Sequence, residues 1–197
     1  MGELHNFQPA QRNVIPTSLI RPFTHSPIHS LEKVPLEVMQ ALDLPPFEAK
    51  LTKSATNQPL IWDGLRRKHV VLTPEEWVRQ HVVHFLTAHL GYPRGLLALE
   101  RGLRYNQRQK RTDLLARDPT GQPLLLVECK APAVPITQAV ARQATTYNQT
   151  IGAPLLLLTN GLVHYCWRVD FENRTNERLA DIPAFTEAVR ISAAGGG

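Results

Sequence analysis

The run Leu124-Leu-Leu-Val127 leads without a break into Glu128-Cys129-Lys130. Four large apolar residues in succession offer no polar side to water, so a strand made of them must be covered on both faces. That requirement makes it a central strand in a sheet packed between other elements. Asp118-Pro-Thr-Gly121, just upstream, carries strong turn chemistry and separates it from another apolar stretch, residues 112–117.

The pattern around this strand predicts the rest of the order. Thr73-Pro-Glu-Glu76 reads as a helix start, with Thr73 as N-cap, Pro74 in the first turn and Glu76 completing a capping box. Val78, Val82, Phe85, Leu86 and His89 or Leu90 recur at helical spacing and give that helix one apolar face before Gly91-Tyr-Pro93 ends it. Leu96-Leu-Ala-Leu99 starts a strand, and residues 112–117 and 124–129 form two more. Residues 136–151 read as a helix whose Ala139, Ala141 and Ala144 let it lie close to a sheet. Residues 155–158 form a further strand, with Asn160-Gly161 as a two-residue hairpin turn into a return strand over 162–169. The predicted fold is α/β (α+β): a mixed central sheet flanked by helices in the order α-β-β-β-α-β-β. Upstream, residues 47–72 read as extended with a turn at Asn57-Gln-Pro59, and 181–191 read as a short helix before a tail, 193–197, that frays.

Residues 1–38 differ from this. They hold five prolines and no sustained period of 2 or 3.6 residues, a pattern typical of disorder. Met39 is the only methionine after Met1, and regular pattern begins soon after it. One hypothesis is that translation starts at Met39, with a domain over 39–192; the alternative is a genuine flexible tail. Intact-mass measurement of the natively expressed protein separates them, because a species beginning at Met1 rules the first out.

Composition narrows the class. No apolar run approaches the roughly 18–20 residues that span a bilayer, and the first residues show no secretory signal pattern. With two cysteines, Cys129 and Cys166, a reduced cytoplasmic setting is the default, and both read as small buried apolar residues. The net charge is +5, and residues 1–38 contribute none of it, holding three basic and three acidic side chains. Residues 101–117 hold six basic side chains (Arg101, Arg104, Arg108, Lys110, Arg111, Arg117) and one acid, Asp113. Such a strip is either a solvated face or a cradle for a phosphodiester backbone.

The residues with the most chemistry are Asp113, Glu128 and Lys130. Residues two apart on a strand point the same way, so Glu128 and Lys130 project together, and pairing across the Asp118 turn brings Asp113 alongside. Two carboxylates at the end of a sheet suit Mg²⁺ or Mn²⁺, with the Cys129 carbonyl as a further ligand. A lysine beside such a cation orients the attacking water and stabilises developing negative charge. The plainer alternative is an ordinary Glu128–Lys130 ion pair at a strand end. An apolar strand emptying directly into Glu-x-Lys favours the chemical reading, because buried carboxylates without a metal are costly. His81, His84 and His89 share one helix but only partly one face, and read as core-edge residues.

Several ordered blocks then carry a resemblance. Trp62-Asp63 with Arg66-Arg-Lys68, Leu72-Thr-Pro-Glu-Glu-Trp-Val-Arg-Gln80, Gly91-Tyr-Pro93, Arg111-Thr-Asp113, Val127-Glu-Cys-Lys-Ala-Pro132, Gln143 with Tyr147-Asn148, and Leu158-Thr-Asn-Gly161 together resemble the N-terminal nuclease domain of type I restriction enzyme R subunits, in a short stand-alone form. That is a branch of the PD-(D/E)XK nucleases, and the match spans roughly residues 47–170. The resemblance implies a restriction-endonuclease-like core, with Asp113 and Glu128 as metal ligands, Lys130 as the catalytic lysine, and Gln143 and Tyr147 as accessory residues. It also offers Glu76 as a metal ligand, although the capping box explains that residue equally well; Glu100 is a weaker candidate. Two departures stand out. Thr112 occupies the place of the motif's proline. No Gly-x-x-x-x-Gly-Lys-Ser/Thr sequence is present, so nothing in these residues uses ATP to move DNA.

The reading is therefore a Mg²⁺- or Mn²⁺-dependent (endo)deoxyribonuclease domain of a restriction-modification system. It would hold DNA through Arg66, Arg67 and Lys68 and through Arg101, Arg104, Arg108, Lys110 and Arg111. Its expected partners are DNA and either a second copy of itself or a restriction-system subunit; no membrane and no ATP are expected. The first alternative is a catalytically idle DNA-binding or assembly module on the same fold. The second is a structural domain indifferent to nucleic acid.

Overall fold

The structure, a computed structural model, describes residues 39–99 and 114–194, together with the backbone of 104–105 and 108–109. Its opening element is a three-stranded antiparallel sheet, β1 (Leu51–Lys53), β2 (Pro59–Asp63) and β3 (Lys68–Val71), in the order β1-β2-β3. The β1–β2 turn closes on the Ser54 hydroxyl, with Asn57 in the left-handed region at φ 63°. The β2–β3 turn closes on Asp63, whose Oδ1 accepts from the amides of Leu65 (2.8 Å) and Arg66 (3.0 Å).

Helix α1 (Pro74–His84) follows, and the Thr73 hydroxyl caps it by accepting from the Glu76 amide at 3.0 Å. The reciprocal half of the predicted capping box is not made. Thr73 N donates to Val71 O, and the Glu76 carboxylate turns to other partners. Val78, Val82, Phe85 and Leu86 are buried as their spacing predicts. The helix closes through a π-helical turn, Phe85–His89.

The main sheet has six strands in the order β11-β10-β9-β8-β7-β4. Its members are β4 (Leu97–Ala98), β7 (Leu114–Arg117), β8 (Pro123–Cys129), β9 (Leu155–Thr159), β10 (His164–Asp170) and β11 (Thr175–Leu179), while the backbones of β5 (Arg104–Tyr105) and β6 (Arg108–Gln109) pair separately. Only β8 and β9 run parallel, joined through α2 (Gln138–Ile151); the other neighbours are antiparallel. The fold is thus a mixed sheet between helices, and the predicted core order α-β-β-β-α-β-β is present within it. Leu124 to Val127 are buried throughout, and β8 lies between β7 and β9, the central place expected of an all-apolar strand.

Strand alternation sorts the core into two sides. Leu114, Ala116, Val127, Cys129, Leu155 and Leu157 pack with α1 residues and with α3 (Phe185–Ala194). Leu115, Leu126, Leu156, Leu158, Tyr165 and Trp167 pack with Ala141 and Ala144 of α2. Ala141 and Ala144 give α2 the close approach their size allows; Ala139, expected to share it, is exposed. Both cysteines are free and buried, and burial pushes the Cys166 thiol up to about 12.

Other differences from expectation are local. Asn160-Gly161 is not a two-residue hairpin turn, since Thr159 pairs with His164 and residues 160–163 make the link. Strand β11 has no counterpart among the predicted elements. Helix α3 runs through Ala194, so residues 193 and 194 belong to it and not to a tail. Residues 1–38, 195–197 and Glu100 lie outside the described residues.

Candidate active site

Strand β8 ends beside the C-terminal end of β9, with Glu128 opposite Leu158 and Cys129 opposite Thr159. Glu128 follows Leu126 by two residues and so faces the α2 side of the sheet. Lys130 Nζ meets Glu128 Oε1 at 2.5 Å, with the two side chains 22% and 18% exposed. The ion pair that the plainer reading of these residues offers is therefore formed, and water reaches it. The Cys129 side chain points the other way, into the α1-side core.

Asp113 lies outside the described residues, as do Arg101, Lys110 and Arg111 and the side chains of Arg104 and Arg108. The described neighbour of Asp113 is Leu114, whose partner across β7–β8 is Val127. Among the described residues, no group of three His, Cys, Asp or Glu side chains is placed to hold a metal ion.

On α2, Tyr147 packs against the same core that underlies Glu128 and Lys130, and its hydroxyl is buried without a hydrogen-bond partner. Such an orphan is uncommon, because leaving a buried hydroxyl unbonded costs about 1–3 kcal/mol. Gln143, one turn earlier, is exposed. Next to Tyr147, Asn148 is fully buried and closes the helix end, donating to Ala153 O at 2.8 Å and accepting from Ala153 N.

Glu76 has a different setting. Its carboxylate accepts from Arg79, from Arg66 Nη1 at 3.3 Å and from Gln80 Nε2 at 2.8 Å, and Arg66 also pairs with the fully buried Asp63. Arg79 reaches on to Glu75 at 3.0 Å. This cluster ties the β2–β3 turn to the first turn of α1. It engages the carboxylate that the sequence offered as a metal ligand, and it draws Arg66 inward. Arg67 and Lys68 stay exposed.

The geometry gives Thr159, Asn160 and His164 contacts at the site, a part the sequence did not assign to them. Lys130 N donates to Thr159 O at 2.8 Å, fixing the lysine's backbone to β9. The Thr159 hydroxyl lies 2.8 Å from His164 Nδ1 and accepts from Gly161 N; His164 Nε2 lies 2.9 Å from Asp43 O. A carbonyl can only accept, so Nε2 carries the proton and Nδ1 accepts from Thr159. Burial holds the His164 pKa below its ordinary value, in keeping with a neutral ring. Asn160 Nδ2 donates to Val134 O at 3.0 Å and Pro132 O at 3.3 Å, fastening the loop after Lys130 to the β9–β10 link.

Residues 40–47 form a strap over this region: Asp43 N donates to Gly161 O, Trp77 Nε1 donates to Gln40 O, and Leu44 is buried. Phe47 sits edge-on to His81 and stacks on His84, which in turn meets His89 at a ring separation of 5.6 Å. Desolvation lowers the pKa of both His81 and His84, and each is lowered further by its neighbouring histidine, His84 and His89 respectively; for His81 a backbone hydrogen bond to Trp77 opposes this in part.

Residues 74–183, more than half of the chain, match the sequence profile of a family described as type I restriction enzyme R protein N terminus (HSDR_N). Among solved structures, the chain is similar to a fragment described as an HsdR subunit of a type I restriction enzyme from Vibrio vulnificus YJ016. That likeness has 20% identity and a TM-score of 0.45, and covers 63% of this chain and 26% of that one. No curated protein matches the sequence. Among the described residues, no helix is long and apolar enough to cross a membrane.

Proposed function

This chain belongs to the family of type I restriction enzyme R protein N termini, and from that premise we propose that it is a metal-dependent nuclease domain acting on DNA. The observation that carries the reading is the Glu128–Lys130 pair, partly open to water, at the end of a strand whose Leu124 to Val127 and Cys129 are buried. Covering such a strand while ending it in two charges has a structural cost that chemistry at the site explains.

In this reading Asp113, one residue before Leu114, joins Glu128 and the Cys129 carbonyl to hold Mg²⁺ or Mn²⁺. Oxygen donors of this kind suit a hard divalent cation. The bound cation would supply Lewis-acid stabilisation of a phosphodiester and a more acidic water. The chain's own residues do the rest. Lys130 Nζ, beside Glu128, would orient the attacking water and face developing negative charge on phosphate oxygens. Thr159 holds the Lys130 amide, and Asn160 fastens the loop that follows it. Tyr147, with its unbonded hydroxyl, is the accessory donor nearest in kind to this need, with Gln143 at the solvent edge of the same helix. Arg67 and Lys68, with Arg101, Arg104, Arg108, Lys110 and Arg111, would hold the DNA backbone. Glu76 is left out of the ligand set because Arg66, Arg79 and Gln80 already engage it.

The test is cleavage of single-stranded, double-stranded and branched DNA with Mg²⁺ and Mn²⁺ by the parent chain and by Asp113→Ala and Lys130→Ala. Loss of cleavage in both variants, with unchanged circular dichroism, supports the reading. Equal cleavage by either variant overturns it.

A further inference from the structure

The small sheet β1-β2-β3 buries one face and leaves the other bare. Ile61 and Asp63 of β2 point inward and are fully buried, so Leu60 and Trp62 point outward. Trp62 occupies the middle strand and is 36% exposed, one of few large apolar side chains so open among the described residues. On one side its cross-strand partner is His69, with the rings 5.1 Å apart and nearly edge-to-face. On the other, Lys50 O accepts from Trp62 N at 2.9 Å, which sets exposed Lys50 beside the indole. Arg67 and Lys68 stand exposed at the β2–β3 end, and Lys53 at the β1 end.

The charge of this face is one-sided. Of the basic side chains of residues 50–71, Lys50 lies beside Trp62 on this face and Arg67 stands in the turn at its end. Lys53 and Lys68 lie opposite Pro59 and Asp63 in the register of the buried face, and Arg66 turns to Asp63 and Glu76. The one acid of these residues is Asp63. That acid is fully buried and paired with Arg66, so the open surface offers cations around a bare aromatic plane. A polyanion answers the cations. The indole narrows the choice further, because an unpaired base can stack on it whereas duplex bases keep their faces to one another.

We propose that the outer face of the β1-β2-β3 sheet binds an unpaired nucleic-acid strand, with Trp62 as the stacking platform and Lys50 and Arg67 beside its phosphates. The proposal rests on the reading of this chain as a nucleic-acid enzyme and names the strand state that it engages. Its site lies on a different sheet from Glu128 and Lys130.

Binding is read on the full chain in EDTA, so that no divalent-dependent cleavage intervenes. A fluorescein-labelled oligo(dT) of about 15 nucleotides, near the upper site size of such surfaces, is titrated beside a duplex of equal length. The single strand is expected to bind more tightly and to quench tryptophan emission. Trp62→Ala should weaken single-strand binding about tenfold or more, from the usual worth of one base–aromatic stack. Duplex binding should be untouched and Trp62→Phe should keep most of the affinity. Arg67→Gln should lower the slope of log affinity against log salt by about one.

Trp62→Ala binding oligo(dT) like the parent would overturn the proposal, and so would equal loss on both strand forms or no oligo(dT) binding at low salt. Because Trp62 is exposed, circular dichroism and melting of Trp62→Ala should match the parent. Cleavage with Mn²⁺ is measured separately. Trp62-dependent binding without cleavage fails the nuclease reading alone, and cleavage with Trp62-independent binding fails this one alone.

Discussion

Replacing Glu76 by Ala tests whether the charged cluster under the β2–β3 turn is structural. The Glu76 side chain is 7% exposed and is shared by Arg79, Arg66 and Gln80. Removing one member of a buried ion pair costs about 3–5 kcal/mol, because the remaining charge stays desolvated. Here the loss falls at the lower end. Arg66 is 33% exposed and can rehydrate, and Arg79 keeps Glu75 at 3.0 Å. The expected loss is therefore about 3 kcal/mol, or a fall in Tm of about 6–12 °C for a domain of this size.

Urea unfolding followed by tryptophan emission measures it, with an unchanged m-value showing that stability alone moved. Glu75→Ala is the internal reference. Its side chain is 44% exposed, so it should cost less than about 1 kcal/mol. Should Glu76→Ala fall within about 0.5 kcal/mol of the parent, the cluster is not holding the turn and the carboxylate is available for other work. Glu76→Gln is expected to leave Mn²⁺ affinity unchanged, and a loss there would restore Glu76 to the ligand set.

Two other outcomes follow from the strap over the strand ends. His81, His84 and His164 all have folded pKa values below 6.5, chiefly through desolvation, so below about that pH the unfolded chain takes up protons that the fold refuses. Stability from these three groups is therefore complete above pH 6.5 and declines as pH falls through their lowered folded values. Urea midpoints between pH 8 and 5 should show that decline, and a rise toward pH 5 would contradict the assigned neutral rings. Gly161 sits at φ +82°, where an added Cβ would meet Leu42 Cδ2 at 2.7 Å and Val78 Cγ2 at 3.1 Å. Gly161→Ala should cost about 2–4 kcal/mol in the same assay, from left-handed strain plus displaced packing, and a neutral effect would refute the strap's close approach.

What the sequence revealed and what it hid divide along physical lines. Strand β8 was legible because Leu124 to Val127 have no polar side, and α1 because Thr73, Pro74 and the apolar spacing agree. The Asp118 turn was legible too: Asp118 Oδ1 accepts from Thr120 N and Gln122 N, the local bonding its residue types foretell. Strand β11 was not, since Thr-Asn-Glu-Arg-Leu forms a sheet edge open to water and need not alternate. The strap was hidden for another reason: Gln40 and Asp43 hold it largely through backbone carbonyls, which leave no trace in residue type.

At the site, Glu128 and Lys130 could be read from strand alternation alone. Glu76 could not be settled, because its partner Arg66 lies ten residues back in a turn and three-residue spacing favours a capping box instead. His164 was missed because a lone histidine in a strand gives no signal until its two ring nitrogens find Thr159 and Asp43.

Calorimetric titration of Mn²⁺ into the parent chain, Asp113→Ala and Glu128→Ala reports most directly on whether two carboxylates share a cation. The parent should give saturable heat that each single substitution abolishes. Heat that survives either change, or a parent that gives none while still binding DNA, would leave a nucleic-acid-binding module in place of a nuclease.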